Sequence, residues 1–108
     1  MAREKLKTLT EQMFYVLLCF RTEKYGTEVM KEVSEITQGR IVIGAGTMYN
    51  LTDQFLELGL IRETEADGRK RSYILTYVGR KALDAEIERL RLQLSDYEKI
   101  MGCEDERR

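Results

Sequence analysis

Leu83, Ile87, Leu90, Leu94, Tyr97 and Met101 are spaced four, three, four, three and four residues apart, the 3.5-residue period of a coiled-coil seam. No other feature restricts the chain as tightly. The spacing predicts one helix from about Tyr77 to Met101, about 37 Å long at the standard rise. The shorter helices of a 108-residue chain cannot cover that length. A second copy of the same helix is therefore the economical partner, with packing on its own domain as the plain alternative. Arg80, Lys81, Asp84, Glu86, Glu88, Arg89 and Arg91 mix both signs between the seam positions and read as a solvated outer surface. Thr76 reads as the N-cap of this helix, Gly102 as its end, and residues 102–108 as a free tail.

The other end of the chain carries a second hint of assembly. Thr8-Leu9-Thr10-Glu11 fits a capping box, and the run Met13 to Phe20 that follows is apolar all round. Such a helix must be covered on both sides, and a second subunit can supply the cover. The run is far shorter than the roughly 20 residues of a membrane span, and Met1-Ala2-Arg3-Glu4-Lys5 leads into no signal-peptide core. Cys19 sits in the apolar run and Cys103 in the polar tail, so no structural disulfide is expected. With no proline to mark a linker, the expectation is a single cytoplasmic domain without membrane contact. Arg3, Lys5 and Lys7 precede the first helix, as either a solvated terminus or a basic arm that touches phosphates.

Between these ends the pattern changes repeatedly. Arg21 to Gly26 breaks the first helix. A second helix is expected over about Thr27 to Thr37, with Val29, Met30, Val33 and Ile36 on one face and Gly39 at its C-terminus. Ile41-Val42-Ile43 is a β-branched triplet long enough for one short strand. A third helix then enters through Gly44 and Gly46 and closes at Gly59. Met48, Leu51, Phe55 and Leu58 share its packed face, leaving Thr47, Tyr49, Asn50 and Asp53 free to hydrogen-bond elsewhere. Asp67-Gly68 between two alternating runs is a strong hairpin signal. On its far side Arg69, Lys70 and Arg71 are consecutive, so they cannot all belong to one solvated strand face. They suit either a phosphate contact or a charged strand edge.

Charge and chemistry narrow the function. The net charge of −1 and pI of about 5.6 weigh mildly against a dedicated nucleic-acid binder, although segregated charge matters more than the sum. The chain has no histidine and two isolated cysteines, which leaves no metal set and no nucleophile–base pair. Gly44-Ala45-Gly46 lacks the third glycine and the strand–helix–strand context of a dinucleotide fingerprint. Neither an enzyme nor a cofactor-dependent protein is expected.

Helix, helix, short strand, helix, charged hairpin and long helix is the order of a winged helix-turn-helix, giving a mainly α fold with a small β-hairpin and a long C-terminal dimerisation helix. The expected division is a winged helix-turn-helix over residues 1–76, the dimerisation helix over 77–101 in the same compact domain, and the tail. At this level the residues also resemble a known family. Leu9-Thr10-Glu11-Gln12-Met13-Phe14-Tyr15, Tyr25-Gly26-Thr27-Glu28-Val29-Met30, Gly44-Ala45-Gly46-Thr47-Met48-Tyr49, Gly59-Leu60-Ile61, Arg71-Ser72-Tyr73-Ile74-Leu75-Thr76 and Gly79-Arg80-Lys81-Ala82-Leu83 resemble the PadR family of bacterial transcriptional regulators, in order, over residues 9 to 95. The single C-terminal helix is similar to the branch that includes multidrug-responsive repressors.

The resemblance implies a homodimer that binds a pseudo-palindromic operator on double-stranded DNA, represses a nearby gene and is released by a small molecule. By position it implies Thr47, Tyr49 and Asn50 at the start of a recognition helix and Arg69, Lys70 and Arg71 on a wing, and we group Arg40, just ahead of that helix, with them. The dimer interface would take Phe14 and the seam residues Leu83, Ile87, Leu90, Leu94, Tyr97 and Met101. Phe14, Tyr15, Leu18 and Tyr97, with Met101, would either line a site for a planar aromatic effector or simply form the dimer core. The chain departs from the family where basic residues commonly stand in the recognition helix: here those positions are Asp53 and Gln54, Thr52 replaces an aliphatic residue, and no Lys or Arg lies between Gly44 and Ile61. That acidic helix supports a rival reading, a dimeric winged-helix module that binds protein instead of DNA.

Overall fold

The structure, a computed structural model, describes residues 8–67 and 70–106. Its elements are α1 (Glu11–Cys19), β1 (Lys24–Tyr25), α2 (Gly26–Ile36), α3 (Ala45–Leu58), β2 (Ile61–Asp67), β3 (Lys70–Leu75) and α4 (Tyr77–Glu106). The three strands form one antiparallel sheet in the order β1-β3-β2. This is the winged helix-turn-helix order expected above, with one strand in a different place.

That strand is β1. Its Lys24 and Tyr25 pair with Tyr73 and Ser72 of β3, whereas Ile41-Val42-Ile43 forms no strand. The triplet is spent on packing: Ile43 is buried, Ile41 half-buried and Val42 exposed. Its backbone bonds locally, for the Ile41 N–H donates to the Thr37 hydroxyl at 3.0 Å and that hydroxyl donates to the Val33 carbonyl at 2.9 Å.

The first helix also begins later than the Thr8 capping box predicts. Thr10 is the N-cap, its hydroxyl accepting from the Met13 N–H at 3.1 Å. The reason is Leu9, whose side chain is buried and whose N–H donates to Glu86 Oε1 at 3.0 Å, so the backbone stays outside the helix up to Thr10. Most of the apolar surface of α1 is covered within the domain. Met13, Val16, Leu17, Cys19 and Phe20 join Val29, Val33, Ile43, Met48, Leu51, Phe55, Leu60, Ile61 and Leu83 in one core, leaving Phe14, Tyr15 and Leu18 half-buried at its margin.

α4 is 30 residues long, about 45 Å. It runs through Gly102, because glycine inside a helix costs only about 1 kcal/mol relative to alanine. Thr76 caps it as expected, accepting from the Gly79 N–H at 3.1 Å. Two residues of this helix depart from the sequence reading. Leu83 is buried in the core of its own domain, not free at a seam. Glu86, read as a solvated charge, is 4% exposed. Its carboxylate accepts from Leu9 N–H and pairs with Arg89. Arg89 and the Leu9 N–H hold its carboxyl below the usual value, against the opposing effect of burial. Further out the seam is bare: Leu90, Leu94, Tyr97 and Met101 are all exposed. No helix among the described residues is long and apolar enough to cross a membrane.

One crossing fixes how α4 leaves the sheet. The Thr76 N–H donates to the Leu60 carbonyl at 2.9 Å, and a Cβ added to Gly79 would lie 2.1 Å from that same oxygen. Only glycine fits there.

Candidate nucleic-acid interface

α3 is held from behind. Met48, Leu51, Thr52 and Phe55 are buried, and Thr52 is tolerated among them because its hydroxyl donates to the Met48 carbonyl at 2.8 Å. Gly59 ends the helix in the left-handed conformation (φ 76°), which costs glycine least. At the other end Gly44 is the N-cap, and a Cβ at Gly44 or Gly46 would meet nothing within 4 Å. Packing inside the protein does not demand these glycines. They leave the first turn of α3 bare, with its unpaired N–H groups open to whatever approaches. Thr47, Tyr49, Asn50 and Asp53 are all exposed in front.

The wing is set by a bulge. β2 and β3 pair Ile61 with Leu75, Arg62 with Ile74 and Glu63 with Tyr73, then shift so that Glu65, Ala66 and Asp67 oppose Ser72, Arg71 and Lys70. Thr64 is the extra residue. Its hydroxyl donates to Glu23 Oε2 at 2.6 Å and shares a 2.7 Å bond with the Ser72 hydroxyl, which fastens the bulge to the turn after α1. Below it Tyr73 packs edge-on against Phe20, ring centres 5.8 Å apart. Burial first, and the Glu63 carboxylate second, raise the Tyr73 phenol above its ordinary pKa.

These parts meet in one groove of about 600 Å³. Tyr49 and Asp53 of α3 form one wall, Lys70, Arg71 and Tyr73 of β3 another, and Tyr25, Gly26 and Thr27 at the start of α2 close it. Lys70 Nζ stands 5.1 Å from the centre of the Tyr25 ring, a cation–π distance. Arg71 Nη1 lies 3.6 Å from Glu63 Oε1, with the Arg71 side chain well exposed, so the pair leaves most of the guanidinium facing water. Two of the three wing cations are thus on the side of α3 that carries Tyr49. Arg69 lies outside the described residues, as do Arg3, Lys5 and Lys7 of the N-terminal segment. Arg40 lies apart from the groove, exposed in the α2–α3 turn with Nη1 4.0 Å from Glu11 Oε2. Thr47 and Asn50 are exposed on α3 but do not line the groove. Tyr25, Thr27 and Tyr73 do line it, and no spacing along the chain gathers them, because they come from three elements that only the sheet brings together.

A second, smaller cavity of about 340 Å³ opens between α1 and α4, lined by Leu9, Thr10, Glu11, Phe14, Tyr15, Glu86, Arg89 and Leu90. Phe14 and Tyr15 stand edge to face there, 5.4 Å between ring centres. Leu18 does not reach it and packs on the core instead. Tyr97 lies beyond it, seven residues after Leu90, or about 10 Å along α4.

Comparison with known proteins agrees with this architecture. The profile of the transcriptional regulator PadR-like family matches residues 16–85. No curated protein matches the chain. Among solved structures, a PadR family transcriptional regulator from Eggerthella lenta is 22% identical, with a TM-score of 0.72 over 83% of this chain and 80% of that one. A transcriptional regulator from Clostridium thermocellum is also 22% identical, with a TM-score of 0.70 over 83% of this chain and 88% of its own. RosR of H. salinarum is 24% identical, with a TM-score of 0.62 over 91% and 92%. At these identities the structures speak for the fold.

Proposed function

The chain belongs to the PadR-like family of transcriptional regulators, and from that premise we propose that it binds double-stranded DNA as a homodimer and acts as a ligand-responsive repressor at a pseudo-palindromic operator. The observation that carries this reading is the shared groove, where the exposed front of α3 and the cations Lys70 and Arg71 line one concavity. α3 enters the major groove and reads bases from Thr47, Tyr49 and Asn50. The wing follows the phosphate backbone. Because α3 supplies no cation between Gly44 and Ile61, the attraction to DNA comes from Lys70 and Arg71, with Arg69 beside them in sequence and Arg3, Lys5 and Lys7 near the N-terminus.

The exposed stripe of Leu90, Leu94, Tyr97 and Met101 supports the second half of the reading. A solvated helix rarely carries apolar residues at that period without a partner. Pairing two copies along α4 sets two α3 helices side by side, the arrangement a pseudo-palindrome requires. The cavity beside Phe14 and Tyr15 borders the same stripe at Leu90, so a flat effector bound there touches the surface that sets the spacing of the two reading heads.

A gel shift with DNA from upstream of the protein's own gene, at two salt concentrations, tests the proposal. Binding should weaken steeply with salt. Lys70→Ala with Arg71→Ala should lower affinity for every sequence and reduce the salt slope by about 1 for each phosphate no longer neutralised. A double variant that binds like wild type refutes the role given to the wing. Complete absence of binding at low salt refutes the DNA reading and favours a protein-binding module, which the acidic surface of α3, with Asp53 and Glu57, would suit.

A further inference from the structure

Asp53 stands in the middle of the exposed front of α3, one turn beyond Tyr49 and three residues beyond Asn50. Its carboxylate makes no ion pair or hydrogen bond among the described residues, although Lys70 and Arg71 line the same groove. Arg71 turns instead to Glu63, and Lys70 to the Tyr25 ring. An exposed carboxylate left unpaired on a helix that carries no cation is a poor neighbour for phosphate, since like charges repel. It has one favourable use on DNA.

An ionised carboxylate only accepts hydrogen bonds. Guanine offers two acceptors in the major groove and thymine an acceptor and a methyl group, so both repel it. Adenine places an acceptor beside its amino donor. Cytosine alone offers an amino donor with no acceptor of its own on that edge. Asp53 lies about 4.5 Å further along the helix axis than Asn50, little more than the roughly 3.4 Å step between stacked bases. The two side chains therefore address neighbouring base pairs.

We infer that Asp53 is a specificity-determining residue that selects cytosine at one position of each half-site, by accepting from the base amino group and by repelling guanine and thymine. The inference rests on the DNA-binding reading above. It gives the acidic residue a positive role, and it makes selectivity, more than affinity, the property that α3 contributes.

The test is selection of bound duplexes from a randomised library by the full-length protein, alongside Asp53→Asn and Asp53→Ala, with affinities then measured for single-base variants of the selected site. Asp53 is exposed, so neither substitution threatens folding, and matching circular dichroism spectra would check this. Wild type should require cytosine at one position per half-site and bind it about tenfold more tightly than thymine there. Both variants should lose that preference, keep the others, and bind unrelated DNA more tightly than wild type. Variants that gain affinity equally for all sequences while the selected site stays the same overturn the inference, because the carboxylate would then only repel phosphate. Wild type that selects a site without the cytosine overturns it as well. Wild type that binds no duplex with a negative salt slope refutes the DNA-binding reading itself, and the inference falls with it.

Discussion

Gly79→Ala isolates the crossing between α4 and the turn at Leu60. Its new methyl group would sit 2.1 Å from the Leu60 carbonyl oxygen, 2.7 Å from Leu75 Cδ1 and 3.0 Å from the Leu60 carbonyl carbon. Two of these three atoms are backbone, so no rotamer change relieves the clash. Restoring ordinary separation opens the crossing by about 1 Å, an overpacking cost of about 1–3 kcal/mol. The same movement stretches the 2.9 Å bond from Thr76 N–H to the Leu60 carbonyl, worth about 1 kcal/mol. Alanine returns at most ~1 kcal/mol in helix propensity. The net loss is about 2 kcal/mol, a fall in melting temperature of about 10 °C for a domain of this size. Thermal melts by circular dichroism at fixed protein concentration measure it, with Gly102→Ala as the matched control. Gly102 lies in the same helix with nothing within 4 Å of an added Cβ, so that variant should hold or gain stability. If Gly79→Ala melts at or above wild type, the crossing is not the tight joint described here.

Three further outcomes follow from other parts of the molecule. Because Arg89 and the Leu9 N–H lower the Glu86 carboxyl below its unfolded value near 4.5, its stabilising effect is complete above that value and is lost as pH falls through the folded one. Melts from pH 7 to pH 3 should show a drop that Glu86→Gln reduces; equal drops in both proteins would exclude Glu86 as its source. Burial first, and the Glu32 carboxylate second, push the Cys19 thiol up to about 12, so alkylation at pH 8 mapped by mass spectrometry should leave Cys19 unmodified until the protein is unfolded. Leu94→Asp with Tyr97→Asp should turn the proposed dimer into a monomer by light scattering while leaving the helical signal of the domain largely intact; an unchanged mass would exclude the α4 stripe as the interface.

The long-range order of the fold was legible because its largest parts are periodic. α2, α3 and α4 each repeat apolar residues at helical spacing, and Thr76 caps and Gly59 closes where those residue types usually do. The two alternating runs on either side of the Asp67-Gly68 signal pair as β2 and β3, with Asp67 ending β2 and Gly68 outside the described residues. The misreadings share one cause, which is a partner far away in sequence. β1 is two residues long and exists only because β3 runs beside it, so nothing local announces it. Ile41 to Ile43 has every local mark of a strand but pairs with none of the three strands, its backbone bonding locally to Thr37 instead. Glu86 lies among solvated charges by pattern, yet Leu9, 77 residues away, supplies the N–H that justifies its burial. The groove was half legible: its cations and Tyr49 stand out in sequence, but Tyr25, Thr27 and Tyr73 join it only through the sheet.

The bulge at Thr64 has an electrostatic consequence as well as a geometric one. In an unbroken ladder, Glu63 opposite Tyr73 would place Glu65 directly across from Arg71, where opposite charges on facing strands attract. The extra residue moves Glu65 to Ser72 and sets Ala66 against Arg71. The bulge, by leaving Thr64 out of the ladder, thus decides which residue faces a wing cation, and the one it installs carries no charge. Straightening the bulge on the same sequence would leave the composition of the wing untouched while setting a second carboxylate, Glu65, across from an Arg71 that already has Glu63 at 3.6 Å.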